Sequence, residues 1–310
     1  MLEFTSFFMN SAITRRDFIR TTSLIAAAGA GAARALGADE PAPKKRSIKK
    51  AIMYATVGVK GSVSERFKAV REAGFEGVEP MGGMAQDDVV QAFDETGLQA
   101  ASVCCHTHWA KPFSDPNPAT REIGLEGLKQ SLRDAKRYGA GSVLLVPGVV
   151  RGGVSYEECW QRSIIEIRKA IPLAEELGVK IAIENVWNDF ITREDEAVRY
   201  LDEINSPQVM WHFDIGNIIY FGDPIKWIKA LGKRISRLHI KEFSLDLAMK
   251  QGRGAGFNRA FLEGANNWPG IMKALDEAGY GSWGIAEQNG GNSLEGLRDL
   301  SARMDKIFAS

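Results

Sequence analysis

The sequence predicts a single (β/α)8 barrel of the α/β class, preceded by an export signal and a linker. Between residues 48 and 308, short β-branched runs alternate eight times with longer stretches of helical periodicity. Several helical stretches end in a glycine just before the next strand, as in "KRYGAGS" and "EELGVK", which is a common way for a helix to end. Eight strand–helix pairs are typical of the barrel. A doubly wound open sheet is disfavoured because no G-x-G-x-x-G follows the first strand.

The strands are predicted at short apolar runs that are bounded by glycine, proline or polar residues. They lie at 51–56, 77–80, 98–105, 142–148, 179–185, 209–214, 235–241 and 283–288. The helices are predicted where apolar residues recur with helical spacing. They lie at about 63–73, 86–96, 118–138, 155–177, 193–204, 224–232, 268–278 and 294–308. Residues 50–310 are therefore expected to form one catalytic domain.

Residues 1–38 resemble a twin-arginine signal peptide. Arg15 and Arg16 precede an apolar run of small residues at 24–33, and an A-x-A-like cleavage site follows. A frayed amphipathic helix is the alternative reading. The run is too short and too rich in alanine and glycine for a stable membrane span, so no span is expected in the mature form. Residues 39–49 are rich in proline and charge and are predicted to be a linker. The mature protein is expected in the periplasm or otherwise outside the cytoplasm.

Charge and cysteine content disfavour a nucleic-acid-binding protein and a protein stabilised by disulfides. Lysine plus arginine and aspartate plus glutamate both number 39, and no long basic run occurs, so a nucleic-acid partner is not expected. The three cysteines, Cys104, Cys105 and Cys159, are too few and of odd number for a disulfide framework. They are predicted to be buried thiols, with Cys104 and Cys105 on opposite faces of one strand.

Four successive predicted strands end in groups that can bind a metal. Glu184, Asp214, His239 and Glu287 lie at the ends of the fifth to eighth strands, and barrel enzymes place their active sites at that end. Any one of these carboxylates alone can be a helix cap or a partner for a lysine. Three carboxylates together repel one another unless a cation lies among them. The set therefore predicts one divalent metal, with Mn²⁺ favoured and Mg²⁺ or Co²⁺ as alternatives.

The motifs around these strand ends resemble those of a known family. "IAIENVW", "HFDIGN", "RLHIKEF" and "GIAEQNGG" are similar to the metal-site motifs of the xylose-isomerase-like TIM barrels, and in particular of the sugar-phosphate isomerases and epimerases that include ketose 3-epimerases. The resemblance spans nearly all of 48–308. It implies that Glu184, Asp214, His239 and Glu287 bind one metal, and that Glu184 and Glu287 exchange protons with the substrate.

This chemistry predicts a divalent-metal-dependent isomerase or epimerase that acts on a sugar or keto-sugar through an enediolate. A metal-dependent lyase or dehydratase acting on a keto-sugar or inosose is the alternative, because the same enediolate can expel a leaving group. A phosphodiesterase related to the AP endonucleases is disfavoured by the small number of histidines, four in all. A non-catalytic sugar-binding barrel also stays open. Export disfavours a phosphorylated substrate, and a homo-oligomer is left open.

Five further residues are predicted to bind the substrate. Relatives that carry D-x-x-H on the sixth strand have a histidine where this chain has Asn217. Asn217 can bond a hydroxyl group but is a poor metal ligand, which supports one metal rather than a cluster. The five predicted substrate-binding residues are Glu79, His106, Asn217, Lys241 and Arg253. His212, one layer below Asp214, is expected to be a hydrogen-bonded core histidine.

Overall fold

The computed structural model describes residues 46–310, which form one nine-stranded parallel sheet curved into a nearly closed barrel. The order around the sheet is β3-β2-β1-β9-β8-β7-β6-β5-β4. The strands are β1 (Lys49–Met53), β2 (Gly77–Glu79), β3 (Gln99–Ala100), β4 (Val103–Cys104), β5 (Ser142–Leu145), β6 (Lys180–Glu184), β7 (Val209–Asp214), β8 (Ile235–Ile240) and β9 (Trp283–Ala286). The predicted barrel is therefore present, while the predicted signal peptide at 1–38 lies outside the described residues.

The predicted third strand at 98–105 is wrong as a single element, because it is divided into β3 and β4. β3 pairs with β2, and β4 pairs with β5. The chain thus changes partner between the two segments. An isolated parallel bridge between Met81 and Cys104 closes the gap. The two short strands together occupy one position around the barrel, so the nine strands fill eight positions.

Ten α-helices cover or connect the strands within the described residues. They are α1 (Val63–Glu72), α2 (Gln86–Thr96), α3 (Pro118–Tyr138), α4 (Tyr156–Leu177), α5 (Glu194–Ile204), α6 (Ile215–Ile219), α7 (Pro224–Leu231), α8 (Leu245–Gln251), α9 (Trp268–Glu277) and α10 (Leu294–Ala309). Eight of them match the predicted helices closely. The sequence did not predict α6, which directly follows β7, or α8, which is separated from β8 by four residues.

Local capping explains why several helix boundaries were predictable. Ser62 and Ser155 each accept a hydrogen bond from the backbone three residues later, which completes a capping box at the start of α1 and α4. Gly139 and Gly178 end α3 and α4 in the left-handed region, with φ of 74° and 66°. Glycine reaches that region without strain. These signals are local, so they can be recognised without knowledge of the fold.

Side-chain alternation along each strand divides the core into two parts. Ile181 and Ile183 of β6 are fully buried against the surrounding helices. Inside the barrel, a smaller apolar cluster includes Ala51 and Ile285, with Met53 packed against it. The cluster fills the barrel below the polar strand ends. No helix among residues 46–310 is long and apolar enough to cross a membrane.

The outward position of Ile183 gives a prediction for stability. Ile183→Ala should lower the free energy of unfolding by about 2–5 kcal/mol, because it leaves a cavity between β6 and the helices. Ile183→Val is the matched control and should cost only about 0.5–1.5 kcal/mol. Urea denaturation followed by circular dichroism measures both values. A change below about 0.5 kcal/mol in the alanine variant would mean that Ile183 is not in the packed core.

Candidate active site

Four predicted metal ligands come together at the end of the barrel where the strands terminate. Glu184 and Asp214 end β6 and β7, His239 lies near the end of β8, and Glu287 directly follows β9. One ligand atom from each lies within 4.8 Å of the others. His239 Nδ1 is central, at 2.8 Å from Glu184 Oε1, 3.1 Å from Glu287 Oε2 and 3.9 Å from Asp214 Oδ2. These four residues are called the quartet below.

The quartet concentrates negative charge in a place largely shielded from water. Burial raises the pKa of Glu184 to about 7, although His239 opposes the shift. Burial also raises the pKa of Asp214 to about 6, against the opposing effect of Lys241. Burial alone would raise the pKa of Glu287, but Lys241 and His239 lie against it and the pKa is lowered. Three acidic oxygens and one imidazole nitrogen facing a common centre are a donor set that suits a divalent cation.

Lys241 is an ion-pair partner of the quartet. Its Nζ lies 2.7 Å from Glu287 Oε2 and 3.3 Å from Asp214 Oδ2. Burial alone would lower the pKa of Lys241, but Asp214, Glu287 and Glu184 raise it, so the ammonium stays charged. The same Nζ lies 3.5 Å from Asn217 Oδ1. Lys241 and Asn217 both line the cavity described below, where they were predicted to bind the substrate.

Glu79 contacts the ring nitrogen of His239 that faces away from the other quartet residues. Its Nε2 lies 2.9 Å from Glu79 Oε2, and both residues are buried. Because Nε2 is bound there, Nδ1 faces Glu184 and the rest of the quartet. Glu79 is fully buried and is not among the residues that line the cavity. The structure therefore corrects the predicted substrate contact: Glu79 contacts a quartet member instead.

His212 is a core histidine, as predicted, but the expectation that its ring is hydrogen-bonded is wrong. Within the described residues neither ring nitrogen has a hydrogen-bond partner, and Glu79 Oε1 also lacks one. The two side chains are 4.0 Å apart between His212 Nδ1 and Glu79 Oε1. Burial lowers the pKa of His212 well below its usual value, so the ring is neutral. It packs edge-on against His239, with ring centroids 4.2 Å apart.

Asn185 is a structural residue of the site that the sequence reasoning missed. Its Nδ2 donates to the backbone oxygen of Asp214 at 2.7 Å, and its Oδ1 accepts from Asp214 N at 3.1 Å and Trp211 Nε1 at 3.0 Å. Asn217 Nδ2 donates to the backbone oxygen of Asn185 at 3.0 Å. The amide therefore joins the ends of β6 and β7, which carry Glu184 and Asp214. In the sequence, only the position of Asn185 directly after Glu184 indicated that it belongs to the site.

A cavity of about 210 Å³ opens over the quartet and is called the catalytic cavity below. Trp109, Trp187 and Phe257 form its aromatic walls, and Cys104 and His108 add a thiol and an imidazole. Burial lowers the pKa of His108 to about 3, so its ring is neutral, and its Nδ1 accepts a hydrogen bond from Val146 N at 3.2 Å. The aromatic walls offer flat apolar surface beside a strongly polar floor.

Besides Glu79, two more of the five predicted substrate contacts do not line this cavity. His106 is exposed and lies against the turn at Gly82 and Gly83 instead. His108, two residues further on, lines the cavity where His106 was predicted to do so. The guanidinium of Arg253 lies over Trp187, 5.0 Å from the ring centroid, and Arg253 is not among the residues that line the cavity. The cysteines behave as predicted, since all three are free and buried.

Comparison with known proteins agrees with this geometry. The model of the family described as xylose isomerase-like TIM barrel matches residues 67–307. The chain belongs to this family. A curated relative, the L-ribulose-5-phosphate 3-epimerase UlaE of Salmonella paratyphi A, is 23% identical over 226 residues, which cover 70% of this chain and 77% of that protein.

Solved structures show the same fold at lower sequence identity. The D-allulose 3-epimerase from Methylomonas sp. is 17% identical with a TM-score of 0.68, covering 86% of this chain and 98% of that one. The 3-keto-D-glucoside 4-epimerase YcjR from E. coli is 15% identical with a TM-score of 0.70, covering 84% and 98%. The predicted family resemblance is confirmed, and the protein is an enzyme of the sugar isomerase and epimerase group.

Replacement of Asn185 tests whether its amide holds the strand ends. Asn185→Ala leaves Trp211 Nε1 and the backbone of Asp214 without partners in a buried place, which should cost on the order of 3 kcal/mol of unfolding free energy. Asn117→Ala is the matched control, since Asn117 caps α3 at the exposed surface and its loss should cost about 1 kcal/mol. Chemical denaturation measures both. Equal costs for the two variants would contradict the role given to Asn185.

Proposed function

We propose that the protein is a divalent-metal-dependent isomerase or epimerase that acts on a sugar or keto-sugar through an enediolate. The observation that carries this proposal is the convergence of Glu184, Asp214, His239 and Glu287 on one centre, with all but Asp214 lining the cavity. These residues would hold the metal, with Mn²⁺ preferred and Mg²⁺ or Co²⁺ as alternatives. When bound, the cation supplies the Lewis acidity that acidifies the carbon next to a carbonyl group and stabilises the enediolate.

Glu184 and Glu287 are the groups that we assign to proton transfer. Both line the cavity, and His239 Nδ1 lies between them at 2.8 and 3.1 Å. A carboxylate at the wall of the cavity can take a proton from a bound substrate and return it. If one carboxylate removes the proton and the other returns it on the opposite face, the carbon centre is inverted and the sugar is epimerised.

The charge of the cavity favours an unphosphorylated substrate. Among the described residues that line it, Lys241 alone carries a permanent positive charge, and its ammonium is already paired with Glu287 and Asp214. No lysine or arginine of this lining is therefore left unpaired to bind a phosphate group. The substrate we propose is therefore a neutral sugar or keto-sugar, unlike the phosphorylated sugar in the name of the curated relative. Export through the twin-arginine signal proposed at 1–38 would place the enzyme in the periplasm, which fits this substrate.

The aromatic walls fit the same class of ligand. Trp109, Trp187 and Phe257 present apolar surface on which the C–H face of a sugar ring can pack. His108 and Asn217 provide polar atoms beside it for hydroxyl groups. Such a site holds the ring by its flat face and leaves one edge directed towards the carboxylates.

Solvent isotope exchange tests the proposed chemistry. Wild-type enzyme with added Mn²⁺ should incorporate deuterium from D₂O into a carbon position of a ketose in a substrate panel, as measured by mass spectrometry. Glu184→Gln and Glu287→Gln should each lower the exchange rate by roughly 10²–10⁴-fold, because the amide cannot take the proton. Glu166→Gln is the matched control, since Glu166 is a buried carboxylate on α4 outside the cavity, and it should retain exchange.

Three outcomes would contradict the proposal. Near-wild-type exchange in either quartet variant would remove that residue from proton transfer. A product lighter than the substrate by one water would assign the enzyme to the lyases or dehydratases, because an isomerase or epimerase conserves the mass of its substrate. Absence of exchange across the panel with an intact metal site would favour a binding role.

A further inference from the structure

A second cavity lies beside the catalytic cavity and shares one wall with it. Its volume is about 240 Å³. Trp109 borders both cavities. The rest of the second cavity is formed by the loop between β4 and α3 and by the loop between β5 and α4. Both loops follow the carboxyl ends of strands, so the second cavity opens at the same end of the barrel as the quartet.

Hydrogen bonds between the loops hold this second cavity in place. Ser114 Oγ donates to the backbone oxygen of Val149 and accepts from Val149 N, each at 2.9 Å, and Ser114 is buried. Asn188 Nδ2 donates to the backbone oxygen of Gly148 at 2.6 Å, and Val150 N donates to the backbone oxygen of Asn188 at 3.0 Å. Three loops are thus joined, and a ligand that binds there has little ordering of the loops to bring about.

The walls of the second cavity suit a neutral ligand with many hydroxyl groups. Arg151 contributes one positive charge and Asp115 one negative charge, so the cavity does not select an anion or a cation. Only the backbone oxygen of Arg151 is bonded within the described residues, to Val154 N at 3.1 Å, which leaves the donors of its guanidinium available. Trp109 is 44% exposed, and a partly exposed indole offers a flat face for stacking on a sugar ring.

We propose that the second cavity is a subsite for a further glycosyl unit, so that the substrate is a glycoside of disaccharide size and not a free monosaccharide. This inference rests on the proposed function, in which the reacting ring occupies the catalytic cavity. Trp109 would then lie at the junction between the two rings. The separate side chains of Arg151 and Asp115 would bond hydroxyl groups of the second ring.

Equilibrium binding tests the subsite without requiring turnover. Calorimetric titration of the Mn²⁺-loaded enzyme compares D-fructose with its glucosyl derivatives maltulose, leucrose and palatinose. At least one disaccharide should bind with a Kd at least about tenfold below that of D-fructose, which corresponds to about 1.4 kcal/mol. Trp109→Ala and Arg151→Ala should each reduce this ratio of Kd values, and Trp109→Phe should keep part of it. Arg298→Ala is the matched control, because Arg298 pairs with Glu72 on the outer surface, and it should keep the wild-type ratio.

The result separates the subsite from the proposed function. If no disaccharide binds more tightly than D-fructose, or none binds, the subsite proposal is wrong, whatever the isotope exchange shows. If the preference for a disaccharide persists in both Trp109→Ala and Arg151→Ala, the second ring binds elsewhere and the proposal is also wrong. Failure of the proposed function would appear instead as absent isotope exchange, which this titration does not measure.

Discussion

The imidazole of His239 is held between two buried carboxylates, and the arrangement of the site depends on this contact. Glu79 lies 2.9 Å from Nε2, and Glu184 lies 2.8 Å from Nδ1. The ring is thereby fixed in orientation, with one nitrogen committed to the barrel interior and the other directed at the quartet. A carboxylate behind a ligating histidine is a frequent way to orient the ring in metal sites.

Hydrogen bonds at the strand ends fix the positions of the other residues of the site. Asn185 joins the ends of β6 and β7, and Asp214 Oδ1 accepts a hydrogen bond from Asn217 N at the start of α6. The short helix α6 places Asn217 in the cavity lining. Lys241 balances part of the negative charge. The remaining excess of carboxylates is what a divalent cation would neutralise.

The elements that could be predicted from the sequence are those set by local signals. The eight covering helices have apolar periodicity, several also have a side-chain cap or a terminal glycine, and their predicted ends agree with the structure closely. The convergence of the quartet could also be predicted, because parallel strands in a barrel end on one face and alternate residues share a side. Glu184 and Ala182, for example, point into the barrel while Ile183 points outward to the helices.

Features that depend on contacts distant in sequence could not be predicted. The division of residues 98–105 into β3 and β4 follows from a change of partner from β2 to β5, which leaves no mark in the local pattern. The choice of His108 over His106 depends on how one loop packs against Gly82 and Gly83. The contact between Glu79 and His239 spans the barrel.

Crystals of the enzyme soaked in Mn²⁺ and measured for anomalous scattering test the central claim most directly. The account predicts one anomalous peak enclosed by Glu184, Asp214, His239 and Glu287, and a peak elsewhere, several peaks, or none at this centre would contradict it.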